Sequence, residues 1–215
     1  MNRDFSNVSM AVIRRLPKYH RYLKDLLDKE VYRISSRELS RSIGFTASQI
    51  RQDLNCFGGF GQQGYGYNVE ELYKEIGKIL GLDKTYTTVI IGAGNLGQAI
   101  ANYASFNRYG FQLKALFDTN PKLIGMKIRD TEILDLDDLE DFIQKNNIEI
   151  GFICTPKEVA QDVADKLTSA NIKGIWNFAP VDLKVPKDVI VENVHLSESL
   201  FILSYLLNEK ELLNS

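Results

Sequence analysis

Residues 87–106 read TTVIIGAGNLGQAIANYASF, and this stretch decides the fold of the larger part of the chain. An apolar, β-branched run leads into the loop Gly92-Ala93-Gly94-Asn95-Leu96-Gly97, and a segment with helical spacing follows. In such a loop the first glycine permits a tight turn, the second lets the backbone approach a pyrophosphate, and the third lets the helix pack closely. The helix N-terminus offers free amides to the phosphates. The stretch therefore predicts a strand–loop–helix unit that binds a nucleotide.

An acidic residue at the right distance strengthens this prediction. Asp118 follows Gly97 by 21 residues and ends the predicted strand 111–117. A carboxylate there accepts hydrogen bonds from both ribose hydroxyls and repels a 2′-phosphate, which favours NAD(H) over NADP(H). On Asp118 alone, NAD(H) is also favoured over coenzyme A or a flavin. The alternative is a glycine-rich turn without a ligand, in which Asp118 only caps a strand.

The residues before this unit predict a helix-turn-helix. Ser35-Ser36-Arg37-Glu38 and Thr46-Ala47-Ser48-Gln49 each have the spacing of a capping box, in which two side chains satisfy free amides at the start of a helix. The first helix is predicted to end near Ile43, before Gly44, and the second near Phe57. In the following run FGGFGQQGYGYNV glycines alternate with aromatic residues, which predicts a β-hairpin packed on the helices, hence a winged helix.

The second short helix has the residue types that read DNA. Arginine and glutamine make paired hydrogen bonds with guanine and adenine, and the exposed start of this helix carries Ser48, Gln49, Arg51 and Gln52. Arg14 is a candidate for phosphate contact. Residues 1–68 contain 11 Lys and Arg against 6 Asp and Glu, whereas residues 69–215 contain 15 against 22. The alternative is a solvated charged face on an ordinary helical subdomain.

Hydrophobic spacing places the remaining elements. An amphipathic helix is predicted over 8–28, with Pro17 inside it, and a connecting helix over 69–82. Further strands are predicted at 87–91, 149–153, 173–177 and 188–192, and helices at 95–107, 136–146, 157–169 and 197–208. We expect an α/β protein with a winged helix-turn-helix domain over 1–84, a Rossmann-like parallel-sheet domain over 85–194 and a C-terminal helix over 195–215.

Composition excludes several classes of protein. The 215 residues are 44% hydrophobic, and no apolar run approaches the roughly 20 residues of a membrane helix. The N-terminus lacks a signal-peptide core, so we expect a cytoplasmic protein without a membrane partner. Cys56 and Cys154 are far apart in sequence, which argues against a disulfide or a zinc site. We expect both to be small buried hydrophobic residues and expect no metal site.

Taken together, the two halves resemble the Rex family, the redox-sensing transcriptional repressors of bacteria, along almost the whole chain. The matching segments are RRLPKYHRYL (14–23), SSRELSRSIGFTASQIRQDL (35–54), FGGFGQQGYGYNVEEL (57–72), GAGNLG (92–97), LFD (116–118), TP (155–156), GIWNFAP (174–180) and NVHLSESLFILSYLL (193–207). The resemblance implies a homodimer whose C-terminal helix is swapped between partners. It also implies that the dimer holds double-stranded operator DNA at a low NADH/NAD⁺ ratio and releases it when NADH binds.

The resemblance also assigns roles to single residues. Asp118 would bind the adenosine ribose, and Tyr103 matches a tyrosine near the nicotinamide that takes part in sensing. Arg15 matches an arginine that couples the DNA-binding domain to the other subunit. The residues implied at the pyrophosphate and along the crevice are Gly92, Gly94, Asn95, Leu96, Gly97, Thr155 and Pro156.

The chain departs from the family pattern in three places. Family members often carry basic residues where Gln62 and Gln63 stand in the wing and where Gln52 stands in the recognition helix, so phosphate attraction should be weaker here, although Gln63 is still expected to face DNA. His195 replaces an aspartate that forms a salt bridge with the arginine matched by Arg15. Either the coupling differs, or His195 makes a neutral hydrogen bond, for example to Tyr103.

Two other classes of function compete with a repressor. An NAD-dependent dehydrogenase is disfavoured because no Tyr-x-x-x-Lys pair occurs, the only histidines are His20 and His195, and the nucleotide fold leaves no residues for a substrate domain. A coenzyme A-binding or purely structural Rossmann module without DNA function is the second alternative.

Overall fold

The computed structural model describes residues 8–62, 65–103 and 105–214. It divides the chain into two compact units, Met1–Lys84 and Thr85–Ser215. Gln63, expected in the wing, lies outside the described residues. In the described ranges, no helix combines the length and the apolarity needed to cross a membrane.

The first unit has the winged helix-turn-helix architecture that the sequence predicts. Its helices are α1 (Met10–Ile13), α2 (Leu16–Leu27), α3 (Ser36–Ile43), α4 (Ala47–Asn55) and α5 (Val69–Ile79). Three short antiparallel strands, β1 (Arg33–Ile34), β2 (Gly61–Gln62) and β3 (Gly66–Asn68), pair in the order β1-β3-β2. The helices α3 and α4 form the helix-turn-helix, and β2 and β3 form the wing.

The prediction of one continuous helix over 8–28 is wrong. The helix breaks after Ile13, and α2 starts at Leu16 with Pro17 in its first turn. Proline fits there because an amide in the first turn has no helical acceptor and the ring already holds a helical φ. Pro17 therefore lies at the start of a helix and does not kink a longer one.

The two predicted capping boxes have different outcomes. At α3 both halves form, since Glu38 N donates to Ser35 Oγ at 3.1 Å and Ser35 N donates to Glu38 Oε2 at 2.8 Å. At α4 only Gln49 N donates to Thr46 Oγ1, at 3.1 Å. The Gln49 side chain points along the helix to Asp53 and does not reach back to Thr46. The second box is therefore half formed.

A compact core joins the helices of the first unit. The helices α2 and α5 pack on each other, and His20 of α2 stacks on Tyr73 of α5 with ring centroids 4.2 Å apart. Burial lowers the pKa of His20. The fully buried side chains here include Leu16, Tyr19, Leu23, Leu39, Ile50, Phe57, Leu72 and Ile76. This core holds α3 and α4 against the support formed by α2 and α5.

The second unit is a seven-stranded sheet covered by helices. Its strands are β4 (Tyr86–Ile91), β5 (Phe111–Asp118), β6 (Lys127–Ile128), β7 (Thr131–Asp135), β8 (Ile150–Ile153), β9 (Gly174–Asn177) and β10 (Ile190–Asn193). The helices are α6 (Asn95–Ala101), α7 (Ser105–Arg108), α8 (Leu139–Asn146), α9 (Lys157–Ser169) and α10 (Leu196–Asn214), with a 3₁₀ turn at Leu136–Asp138.

The order of the strands identifies the type of sheet. They lie in the order β10-β9-β8-β4-β5-β7-β6, and all neighbours are parallel except β6 and β7. Numbered from β4 and without β6, this is the 3-2-1-4-5-6 order of a dinucleotide-binding Rossmann fold. The expected Rossmann-like parallel sheet is confirmed.

Three details of the second unit differ from the prediction. The helix expected over 95–107 stops at Ala101 and resumes as α7, and α10 continues to Asn214. The β6–β7 hairpin was not predicted. The strand Thr131–Asp135 contains only two apolar residues, with acidic residues on either side, which is too short a pattern to indicate a strand. The positions of the remaining elements are close to those predicted, and α9 has the predicted bounds.

Both faces of the sheet are buried, as the apolar strands predict. Val89 and Ile91 of β4 face a core with Phe117 and Ile153, whereas Ile90 faces a second core. This second core includes Leu116, Ile133 and Phe152, and Trp176 packs against it. Successive residues of β4 therefore serve opposite faces, which fixes the register of the strand.

The complete capping box at α3 gives a stability prediction. We expect Ser35→Ala to lower the free energy of unfolding by about 1 kcal/mol, because the amide of Glu38 loses its acceptor. Ser9→Ala is the matched control, since Ser9 precedes α1 without a side-chain cap and should change stability by less than about 0.5 kcal/mol. Urea unfolding followed by circular dichroism measures both. Equal effects of the two substitutions would contradict the assigned cap.

Candidate functional site

A crevice opens where the order of the strands reverses, between β4 and β8. In open parallel sheets the chain leaves such neighbouring strands in opposite directions, so their carboxyl ends border a ligand-sized gap. The gap has a volume of about 430 Å³. Five residues predicted from the sequence line it, namely Gly92, Gly94, Asp118, Thr155 and Pro156. Sequence reasoning missed five others from the neighbouring helices, namely Leu136, Val159, Asp162, Val163 and Lys166.

The loop after β4 needs its glycines. Gly92 has a φ of +98°, and a Cβ there would lie 2.7 Å from the Cys154 carbonyl oxygen. A Cβ on Gly97 would lie 1.9 Å from the Gly92 carbonyl oxygen, so α6 approaches β4 as closely as a backbone permits. A Cβ on Gly94 would meet no atom within 4 Å. The first and third glycines thus serve packing, and the second borders open space.

Asp118 is held in place by the glycine loop. Its Oδ2 accepts a hydrogen bond from Ala93 N at 2.7 Å, and its Oδ1 accepts one from Asn120 N at 2.8 Å. A carboxylate oxygen can accept more than one hydrogen bond. The two backbone amides therefore orient the carboxylate and leave acceptor capacity for a ligand carrying two neighbouring hydroxyls.

A buried polar atom supports a ligand in the crevice. Thr155 Oγ1 is inaccessible to solvent and has no hydrogen-bond partner among the residues that the structure describes. An orphaned hydroxyl is costly unless a ligand or an ordered water satisfies it. The first amides of α6, at Asn95 and Leu96, also have no acceptor within the helix. The residues present thus fit a nucleotide that carries phosphate and ribose hydroxyls.

The structure does not bring Tyr103 into this crevice within one chain. Tyr103 follows the end of α6 and lines a separate cavity of about 350 Å³, together with Ile90 and Phe106. The crevice is bordered by Ile91, whose side chain points to the opposite face of the sheet. Tyr103 therefore does not line the crevice that holds Asp118 and the glycine loop, and its expected place near the nicotinamide stays a prediction. His195 precedes α10 and makes no side-chain hydrogen bond to Tyr103 among the described contacts.

The predicted DNA-facing residues have different surroundings. Ser48, Arg51 and Gln52 are exposed on α4, and Arg14 is exposed between α1 and α2. Arg51 Nη1 also donates to Ser36 Oγ at 2.9 Å, which ties α4 to the start of α3. Gln49 is half-buried. The first unit thus presents the polar face of α4 that major-groove reading requires.

A buried carboxylate that sequence reasoning missed lies behind this face. Asp53 is fully buried and forms a paired salt bridge with Arg15, whose Nε and Nη2 lie 2.6 and 2.7 Å from its two oxygens. Tyr19 OH and Gln49 Nε2 donate to the same carboxylate at 2.7 and 2.8 Å. Burial alone would raise the pKa of Asp53, but these hydrogen bonds hold the pKa below its ordinary value. The Arg15 guanidinium is thus paired inside its own unit.

The two cysteines differ from each other and from the prediction. Cys56 is exposed, so the expectation that it is buried is wrong, because it follows α4 on the outward side. Cys154 is partly buried, and burial raises the pKa of its thiol to about 12. A thiol with that pKa is protonated and unreactive at neutral pH. In the described ranges, no group of three or more His, Cys, Asp or Glu residues is placed to hold a metal ion.

Comparison with known proteins shows the relationship. A family model described as "CoA binding domain" matches residues 83–181, and one described as "Putative DNA-binding protein N-terminus" matches residues 7–55. The chain is 70% identical to the redox-sensing transcriptional repressor Rex of Thermoanaerobacter pseudethanolicus over 96% of its length and 92% of that protein. It is also 70% identical to the Rex of Clostridioides difficile, over 94% of the chain and 97% of that protein.

The chain belongs to the Rex family. Among solved structures it is similar to RSP, a Rex-family repressor. The RSP structure with β-NAD⁺ and operator DNA is 70% identical, with a TM-score of 0.90 over 96% of this chain and 95% of the other. The RSP structure with β-NADH is 66% identical, with a TM-score of 0.91 over 97% and 98% of the two chains. The resemblance seen in the sequence motifs is thus confirmed along nearly the full length.

Proposed function

We propose that this Rex-family chain is a redox-sensing transcriptional repressor that binds operator DNA and dissociates from it when NADH binds. The observation that carries the proposal is that one chain contains a winged helix-turn-helix and a dinucleotide crevice with an unpaired Thr155 hydroxyl. A solved relative, 70% identical over 96% of the chain, is bound to both β-NAD⁺ and operator DNA.

Different residues of the crevice would contact different parts of the dinucleotide. Asp118 would accept the hydroxyls of the adenosine ribose, with its carboxylate already oriented by Ala93 N. Gly92, Gly94, Asn95, Leu96 and Gly97 would form the pyrophosphate cradle, and Thr155 and Pro156 would close the crevice from the side of β8. The apolar Leu136, Val159 and Val163 would pack against the adenine.

Coenzyme A is the less favoured ligand. It carries a phosphate on its adenosine ribose, and a carboxylate at the position of Asp118 repels a phosphate there. The chain also contains a winged helix-turn-helix unit, which a coenzyme A module without DNA function does not need. The same unit argues against a dehydrogenase. We infer that the chain is not an enzyme and that the bound nicotinamide supplies a redox-dependent signal.

DNA binding would use the exposed face of α4. Ser48, Gln49, Arg51 and Gln52 would face the major groove, Arg14 would contact phosphate, and Gln63 would lie in the wing near the DNA. Two copies in a dimer would read half-sites roughly 34–36 Å apart, which predicts a palindromic operator.

The helix α10 supports a homodimer. Its 19 residues carry exposed apolar side chains around the whole helix, namely Leu196, Leu200, Phe201, Ile202, Leu203, Tyr205, Leu206, Leu207 and Leu212. A helix that is apolar on every side is normally buried on every side. We infer that α10 inserts into a second copy, as the family pattern implies, and that Arg15, Tyr103 and His195 take part in coupling the subunits.

The function is tested by titrating DNA binding against both forms of the cofactor. A palindromic DNA selected by the chain from a randomised pool is labelled, and its binding is followed by fluorescence anisotropy at fixed salt. We expect NADH to release the DNA and NAD⁺ to leave it bound. NADH must then bind the DNA-free state more tightly than the DNA-bound state, because a ligand shifts an equilibrium only by its differential affinity for the two states. Equal affinity for DNA in the presence of NADH and of NAD⁺ would refute the redox function. Steady consumption of NADH would favour an enzyme.

The open space at Gly94 predicts a variant that folds but does not bind. Gly94→Ala should keep the melting temperature, since its Cβ meets no atom, but should weaken NADH binding at least about 10-fold by occupying the phosphate position. Gly59→Ala is the matched control, because its Cβ also meets open space but lies in the first unit. Calorimetric titration with NADH measures both. Unchanged NADH affinity of the Gly94 variant would contradict the placement of the phosphates.

The role of α10 predicts a change in oligomeric state. We expect the native chain to form a dimer of twice 24.4 kDa and Phe201→Asp to weaken that dimer at least about 100-fold, because a buried aromatic becomes a charge. Gln144→Glu adds the same charge at an exposed polar position of α8, outside α10, and should leave the dimer intact. Light scattering after size exclusion measures the masses. A monomeric native chain, or a Phe201 variant that dimerises normally, would contradict the assignment.

A further inference from the structure

The side chain of Gln49 on α4 is hydrogen-bonded to the buried carboxylate of Asp53. The two residues lie one turn apart on α4, and Gln49 Nε2 donates to Asp53 Oδ1 at 2.8 Å. The carboxylate is completely buried and is fixed by Arg15, which precedes α2, and by Tyr19 of α2, so it cannot turn away from Gln49. Gln49 is therefore held on one side by a rigid acceptor.

The chemistry of the pair permits one orientation of the amide. An ionised carboxylate only accepts hydrogen bonds, whereas the amide of glutamine has one accepting oxygen and one nitrogen with two hydrogens. The salt bridge to Arg15 keeps Asp53 ionised. The nitrogen of Gln49 must then face Asp53. A flipped amide would place the Gln49 oxygen against an oxygen of the buried Asp53 carboxylate, which is unfavourable.

The opposite edge of the same amide remains available. Gln49 Oε1 would be the acceptor for Thr46 N in a complete capping box, but that bond does not form, and no described donor takes its place. Gln49 thus presents Oε1 and the second hydrogen of Nε2 away from Asp53. In the major groove this pair of atoms matches adenine, which offers the N6 amine beside the N7 acceptor. Cytosine offers an amine alone, whereas guanine and thymine oppose Oε1 with oxygens.

We propose that Asp53 is a specificity-positioning residue, which fixes the amide of Gln49 so that this position of the recognition helix selects adenine, and cytosine second, on one strand of the operator. The proposal rests on the proposed function, because it requires α4 to read the major groove. It goes beyond that function by assigning a base class to one residue and the control of that choice to a buried neighbour that does not touch DNA.

The experiment compares all four base pairs at each position of one operator half-site. The palindrome selected by the native chain is resynthesised with single substitutions, and dissociation constants are measured by anisotropy at one salt concentration. At the position read by Gln49 we expect adenine to be preferred over thymine and guanine by about 10-fold, the discrimination of one paired contact. Gln49→Met, which keeps the size of the side chain, should abolish this preference and identify the position.

The decisive variant is Asp53→Asn. An asparagine can accept or donate, so Gln49 becomes free to flip, and the preference should fall to within about 2-fold while binding to unselected DNA is kept. The second unit supplies a matched control, because Gln161 Nε2 donates to Asp165 Oδ1 at 2.8 Å with the same spacing on α9. Asp165→Asn makes the same chemical change far from the recognition helix in sequence and should leave the base preference intact.

Several results would overturn the proposal. If Asp53→Asn weakened binding to all four base pairs by the same factor, Asp53 would only hold the helix in place. A base preference that survives Gln49→Met, or that favours guanine or thymine, would also reject it.

A measurement on the native chain decides the orientation even if Asp53→Asn fails to fold. In NMR the side-chain amide hydrogens of Gln49 should exchange with solvent at least several-fold more slowly than those of the exposed Gln52 on the same helix, because one of them is bonded to Asp53. Equal exchange rates would reject the fixed amide. A native chain that selects no palindrome would contradict the proposed function instead, while the exchange measurement would still report on Gln49.

Discussion

The approach of α6 to β4 is the constraint on which the nucleotide unit depends. With 1.9 Å between the Gly92 carbonyl oxygen and the position of a Cβ on Gly97, the helix lies against the end of the strand with no room for a side chain. This contact aims the first amides of α6 over the crevice. It also positions Ala93, whose amide holds Asp118. One backbone contact therefore sets the geometry of the phosphate cradle and of the ribose acceptor.

The DNA-binding unit depends on a polar contact of a different kind. The carboxylate of Asp53 is a buried charge. Removing one partner of a buried ion pair lowers the free energy of unfolding by much more than the intact pair contributes to it. The cluster therefore acts through geometry, since Arg15, which precedes α2, and Tyr19 of α2 hold both oxygens of the α4 carboxylate. An apolar contact of equal size would hold the helix but would not distinguish the two ends of a glutamine amide.

Sequence patterns predicted the features that depend on neighbouring residues. The strand β4, the glycine loop and the helix α9 follow from local periodicity, and five crevice residues follow from the loop motif and the family motifs. The cluster at Asp53 was missed because Arg15 and Asp53 are 38 residues apart, and nothing in the spacing of charges on α4 marks that acid as buried. Tyr103 was grouped with the crevice by family analogy, yet the face it occupies is set by where α6 ends. Long-range packing decides these details.

The division between the crevice and Tyr103 bears on how a redox signal would arise. In the proposed function, Asp118 and the glycine loop contact the ribose and pyrophosphate, which are identical in NADH and NAD⁺. A contact that both forms of the cofactor make adds the same binding free energy to each. It therefore cannot make a conformational equilibrium respond to whether the cofactor is reduced or oxidised. The discrimination must come from groups near the nicotinamide. Tyr103 lines a different cavity from Asp118 and the glycine loop, so it does not belong to the part of the site that is common to both forms of the cofactor.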